Sequence, residues 1–439
     1  MNTQKSMYPE LSRRNFIKTT STLAAAASLA PGVFAAGDET LKLALIGCGG
    51  RGSGACDQAL STKGPLKLVA MADAFKDRLD SSYDSLKKAH DDRVDVPEEN
   101  KFIGFDAYQH AIALADVVIL ATPPGFRPMQ FEEAVKQNKH IFMEKPVAVD
   151  GPGVRKVLAA AAEAKKKNLK VAVGLQRHHQ KPYIETIKRL QDGAIGDMVD
   201  MRAYWNDSGV WVHPRKEVET MLGHAPTEME YQMKNWYYFV WLCGDHIVEQ
   251  HIHNLDVINW VKGAHPVSVR GMGGRQVLTG IDYGEIFDHH CNEYIYPDGS
   301  RLLSQCRHIP GCWTDVSEHV QGNKGKCDIS RYKIEGDNAW SFSGDPGKNP
   351  YQQEHDDLFD AIRNDKPYCE TADYGAYSTM TAIMGRMATY CGKEVTWDDA
   401  LNSELNTFPN VLAWDAKTPT SPDAEGRYRI PVPGKTKSF

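Results

Sequence analysis

Two α/β domains in series, the first wound on a parallel sheet and the second on a large, mainly antiparallel one, follow from three features of this 439-residue sequence. Between 41 and about 148, short apolar runs alternate with helix-like stretches, the alternation that builds a doubly wound parallel sheet. Beyond about 169 the runs lengthen into strand-like segments, with Pro297-Asp-Gly-Ser300 as a hairpin turn between two of them. The third feature is Leu41–Ile46, an apolar run that leads directly into Gly47-x-Gly49-x-x-Gly52.

In order, Leu41–Ile46, Leu66–Ala72, Asp116–Thr122 and His140–Pro146 have the composition of buried parallel strands. Gly52–Thr62, Lys76–His90, Pro128–Asn138 and the Ala- and Lys-rich Val154–Lys167 carry helical patterns between and after them. Lys170–Leu175 is expected to lead out of this domain. In the second domain, strands are expected at Met198–Trp205, Pro266–Met272, His289–Tyr296 and Arg301–Arg307, and helices at Ile247–Lys262, Gln353–Asn364 and Tyr374–Tyr390. These divide the chain into a first domain over 40–168, a second over 169–400 and an irregular, Pro- and Thr-rich tail over 401–439.

Residues 1–36 read as a separate targeting segment. Ser12-Arg13-Arg14-Asn15-Phe16-Ile17-Lys18 has the form of a twin-arginine signal, followed by a weakly apolar, alanine-rich run with small residues near Ala35 and Ala36. The run is too short and too polar for a membrane span, so the expectation is export to the periplasm, or otherwise out of the cytoplasm, without membrane insertion. The composition is ordinary for a globular protein, and a net charge of −6 gives no reason to expect nucleic acid as a partner. Nine scattered cysteines with no C-x-x-C support neither a zinc finger nor a disulfide framework.

The glycine pattern sits where a strand turns into a helix, and Asp73 closes the second strand about 20 residues further on, which is the arrangement of a dinucleotide-binding Rossmann domain. Gly47 permits the tight turn, Gly49 lets backbone approach a pyrophosphate, and Gly52 permits close helix–strand packing. Gly50 and Arg51 fall in the same loop, where free N–H groups at a helix start attract phosphate. Asp73 accepts hydrogen bonds from ribose hydroxyls and repels a 2′-phosphate, so NAD is expected ahead of NADP, although Lys76 and Arg78 lie near enough to tolerate the phosphate. Thr122 and Pro123 end a strand at the same crevice, as do Glu144 and Lys145 in Glu144-Lys145-Pro146.

Lys145 suits stabilisation of a developing alkoxide, and a base is then needed for the hydroxyl proton. Asp245, Glu249, His253, Asp256 and Trp260 recur at helical spacing on one stripe, with His246 beside it. His253 is the candidate base, with Glu249 orienting it. A solvated polar face, or a metal held by His246, Glu249 and His253, are the competing readings of the same residues. No H-E-x-x-H pattern is present, and no metal is expected. Arg177, Trp211, Asp245 and His246 are candidate substrate contacts. Aromatics concentrated from Tyr204 to Trp241 suit the apolar faces of sugar rings.

Taken together, the glycine motif, Glu144-Lys145-Pro146, the helix with His253, and Val173–Tyr183 followed by Gly193-Ala-Ile-Gly196 resemble the Gfo/Idh/MocA family, named for glucose–fructose oxidoreductase and inositol dehydrogenase. The resemblance covers about 40 to 395. It implies a Rossmann domain joined to an α/β domain whose open-faced sheet mediates homo-oligomer contacts, with small carbohydrates as substrates. By resemblance Lys145 is the catalytic lysine and His253 the histidine of a D-x-x-x-H motif in which Glu249 replaces Asp. The expected function is NAD-dependent oxidation or reduction of a sugar or polyol, with tightly retained nicotinamide. The alternatives are a redox-neutral glycoside hydrolase working by oxidation, elimination, hydration and reduction, and a sugar-binding scaffold without catalysis.

Overall fold

A computed structural model describes residues 39–368 and 370–438. The twin-arginine motif lies outside the described residues. The first sheet has six parallel strands: β1 Leu41–Ile46, β2 Leu66–Asp73, β3 Lys101–Ile103, β4 Val117–Leu120, β5 His140–Met143 and β6 Val171–Val173. Their order is β3-β2-β1-β4-β5-β6. The direction of winding reverses between β1 and β4, which opens a crevice at their carboxyl ends. Strands here are apolar on both faces because both are covered. Leu41, Leu43 and Leu45 enter one core with Ala55, Ala59 and Leu79, while Ala44 and Ile46 enter the other with Val118, Leu120 and Ile141. Each leucine so buried contributes about 1.5–3 kcal/mol.

Four features of this domain differ from expectation. The edge strand β3 and the helix Ala107–Leu114 were not foreseen. The segment expected to leave the domain supplies β6, so the parallel sheet continues past 168. Helix Pro350–Arg363, expected with the second domain, lays Leu358, Phe359 and Ile362 onto helix Gly50–Leu60 of the first.

The second sheet has nine strands: β7 Met198–Asp207, β8 Ser268–Gly274, β9 His289–Ile295, β10 Arg301–His308, β11 Asp315–Gly322, β12 Gly325–Asp328, β13 Lys333–Gly336, β14 Trp340–Ser341 and β15 Val395–Thr396. The order is β14-β13-β12-β11-β7-β10-β9-β8-β15, antiparallel except for the β7–β10 pair. On β9 and β10, His290, Asn292, Tyr294, Leu302, Ser304, Cys306 and His308 are buried, and the alternate residues are half-buried or exposed. Helices Ile252–Lys262 and Glu370–Cys391 contribute to the same core.

The expected helix over 247–262 is two pieces, His246–Glu249 and Ile252–Lys262. Gly244 and Asp245 both have positive φ, 79° and 78°, so the chain enters the first piece through a left-handed turn. Beyond Leu401 the described residues contain no helix or strand and pack across the molecule. Trp414 lies 4.5 Å from Phe105 and 5.1 Å from Phe75, ring centre to ring centre. Thr407 donates its backbone N–H and its hydroxyl to Asp150, both at 2.8 Å. The eight described cysteines are free.

Candidate active site

The glycine loop is shaped by contacts that only glycine permits. Gly47 has φ 94°, and a Cβ there would sit 2.5 Å from the Thr122 nitrogen; one on Gly52 would sit 1.9 Å from the Gly47 oxygen. Gly52 is thus buried behind the loop, holding helix Gly50–Leu60 against it. No side chain caps that helix at Gly49, so its first N–H groups are left for an anion. Asp73 accepts from the Cys48 N–H at 2.7 Å and the Phe75 N–H at 2.9 Å, and burial pushes its carboxyl pKa up. Gly47, Gly49, Gly50, Arg51, Asp73, Thr122, Pro123, Glu144 and Lys145 line one cleft of about 610 Å³. Glycines that admit a pyrophosphate, an uncapped helix start and a carboxylate at the second strand end fit a dinucleotide.

The cleft continues to the second domain. Lys145, in a cis peptide with Pro146, donates to the Glu249 carbonyl at 2.5 Å and to its carboxylate at 3.0 Å. Burial pushes the Glu249 carboxyl up, and the Lys145 ammonium opposes that shift. His253 also lines the cleft, with its ring stacked 6.0 Å from that of Trp205. Burial, then the Lys145 and Arg177 cations, hold its pKa well below the usual imidazole range, so it is a neutral acceptor. Arg177 donates to the His253 carbonyl at 3.1 Å and is paired with Glu318, which also accepts from Tyr183 and Asn254. Trp205, Trp211, His213 and Trp236 form an aromatic wall of the cleft, and Trp211 is 41% exposed.

Two expectations are corrected by this geometry. Asp245 and His246 do not line the cleft; both are fully buried in a cluster with His290 behind it, because the left-handed turn breaks the helical stripe that would have aimed them inward. Glu249 does not hydrogen-bond His253; the break between the two helical pieces turns its carboxylate to Lys145 instead.

Arg127 was missed. It is fully buried and lines the cleft, donating to the Glu144 carbonyl at 3.1 Å and the Thr122 carbonyl at 2.7 Å. It ties the ends of β4 and β5 together, and burial lowers its pKa to about 10. The only sequence signal was Arg127-Pro128 at a helix start, where Pro is favoured. Tyr351, brought to the cleft by the displaced helix and 5.1 Å from the Arg51 guanidinium, had no signal at all.

Known proteins are similar to this chain in sequence and fold. Residues 41–175 match the Gfo/Idh/MocA model, described as an oxidoreductase family with an NAD-binding Rossmann fold. Inositol 2-dehydrogenase of Rhizobium meliloti is 25% identical over 289 residues, 65% of this chain and 74% of that protein. The 2,7-anhydro-N-acetylneuraminate hydratase of Escherichia coli is 23% identical over 51% of this chain and 54% of its own length. Aldose-aldose oxidoreductase from Caulobacter crescentus, solved with glycerol, superposes over 82% of this chain and all of its own with a TM-score of 0.63 at 19% identity, a likeness of fold. Residues 41–175 therefore form an NAD-binding Rossmann domain similar to that of the Gfo/Idh/MocA oxidoreductases.

Proposed function

We propose that this chain oxidises a secondary hydroxyl of a cyclic polyol or sugar, or reduces the corresponding ketone. NAD, held by the Gly47–Gly52 loop and Asp73, supplies the hydride acceptor or donor when bound. The observation that carries the proposal is that Lys145, from the end of β5, and His253, from a second-domain helix, line the same cleft as that loop. The Lys145 ammonium stabilises negative charge developing on the substrate oxygen, and the neutral His253 imidazole takes or returns the hydroxyl proton. Glu249 fixes the lysine through two acceptors. Arg177 and the Trp205 and Trp211 rings, which line the same cleft, would receive hydroxyls and an apolar ring face. The inositol 2-dehydrogenase relative acts on a substrate of this class by its name.

A second reading, redox-neutral elimination with retained NAD, draws support from the hydratase relative. Export through the twin-arginine route, proposed from Ser12–Lys18, favours a cofactor that is not exchanged. Assembly through the nine-stranded sheet, where Val199 on β7 is 55% and Met272 on β8 is 77% exposed, is proposed alongside. Among the described residues, no helix is long and apolar enough to cross a membrane.

Purified protein offered cyclic polyols and aldoses with NAD⁺ should accumulate ketone and reduced nicotinamide. Release of aglycone from aryl glycosides without net nicotinamide reduction would establish the second reading instead.

A further inference from the structure

The cluster that proved to lie behind the cleft has the features of a metal site. One ligand atom from each of Asp245, His246 and His290 lies within 4.8 Å of the other two, and all three residues are fully buried. Ligand atoms around one tetrahedral zinc, each about 2.0–2.1 Å from it, stand roughly 3.3 Å apart. The Asp245 Oδ1–His290 Nε2 distance is 3.2 Å, yet His290 Nε2 makes no hydrogen bond. His246 Nδ1, the other imidazole nitrogen beside that oxygen, lies 2.8 Å from Asp245 Oδ1. A buried imidazole nitrogen without a hydrogen bond, as at His290 Nε2, normally costs free energy unless something occupies it.

The remaining polar atoms of the trio are held as outer partners hold metal ligands. His290 Nδ1 bonds the Thr389 hydroxyl at 2.9 Å. Asp245 Oδ2 accepts from the Tyr390 hydroxyl and from the Phe287 N–H at 3.0 Å. Among the described residues no lysine or arginine is ion-paired with Asp245; its ion contacts are to His246 and His290. Asp245 also has φ 78° and ψ 159°, a conformation otherwise reserved for glycine, which persists only where the surroundings impose it.

We propose that Asp245, His246 and His290 bind one divalent transition-metal ion, zinc by the nitrogen-rich donor set, as a structural site. The ion would pin the turn at Gly244–Asp245, and with it the single helical turn whose Glu249 holds Lys145. It would not touch substrate, since neither Asp245, His246 nor His290 lines the cleft.

The test uses the untagged full-length chain purified without chelator, with metals measured by plasma mass spectrometry. About one zinc per chain is expected. Stripping the wild-type protein with a chelator should lower Tm by several degrees, and zinc alone should restore it. Cobalt(II) in the stripped protein should give visible absorption that the His290→Ala variant lacks. His290→Ala should reduce bound zinc at least about tenfold. Metal-free wild-type protein whose Tm is indifferent to added zinc would overturn the proposal. So would zinc retained in full by both His290→Ala and His246→Ala. If those variants do not fold, the stripping and reconstitution of wild type decide alone.

Discussion

At the residue scale, the account turns on the protonation of His253. Burial and two neighbouring cations keep the imidazole neutral well below its usual range. A group depressed in this way stays unprotonated as pH falls through about 6.5, the ordinary histidine value. The pH profile of kcat/KM should therefore lack an acid-side break near 6.5; a break there that disappears in His253→Asn would contradict the assignment. That Lys145 and His253 reach one cleft was legible in the sequence because one follows a strand end and the other lies on a helix. Asp245 and His246 were misplaced for a physical reason. The stripe argument requires a continuous helix, and the left-handed Gly244–Asp245 turn with the break near Gln250 destroys the register. Arg127 illustrates a deeper limit: nothing local states that a guanidinium is to be buried between two strand ends.

At the scale of elements, the strand–loop–helix unit around Gly47–Gly52 was readable because each glycine answers a steric demand. Gly52→Ala places a methyl 1.9 Å from the Gly47 carbonyl oxygen, so helix and loop must separate. A stability loss of about 1–3 kcal/mol, the usual cost of overpacking, is expected together with weakened NAD binding. Gly54 in the same helix offers the control, since a Cβ there meets nothing closer than 3.9 Å. Gly54→Ala should stabilise by about 0.5–1 kcal/mol. Denaturant titrations and cofactor binding curves on the two variants distinguish them, and equal behaviour would refute the packing argument. By contrast, β3 is three residues long, too short for any periodicity to register. Helix Pro350–Arg363 was recognised as a helix but assigned to the wrong neighbours, because amphipathic spacing reports that a face is covered and not by what.

For the whole molecule, the two-domain plan and the sheet types were legible from the change in strand texture, whereas the long-range closure was not. The tail beyond 401 packs Trp414 against Phe75 and Phe105, two residues that line the cleft, a contact no local pattern announces. Burying so many imidazoles also sets the pH dependence of stability. His251 and His355, both fully buried, are lowered to about 3, chiefly by burial. The unfolded chain binds their protons below about 6.5 while the folded chain does not, so stability present above that pH is lost as pH falls toward 3. Each group costs up to about 1.4 kcal/mol per pH unit across that window. The urea midpoint should fall between about pH 7 and pH 5; a midpoint unchanged over that range would show the histidines are not held neutral.

The central claim, that ammonium and imidazole act on a substrate hydroxyl beside NAD, is tested most directly by a single-turnover measurement. Protein loaded with NAD⁺ is mixed with a saturating cyclic polyol, and nicotinamide reduction is followed for wild type and Lys145→Met. The account predicts reduction in the wild type, and in the variant unchanged NAD⁺ affinity with a rate at least about 100-fold lower. Reduction at the same rate in both proteins would contradict it.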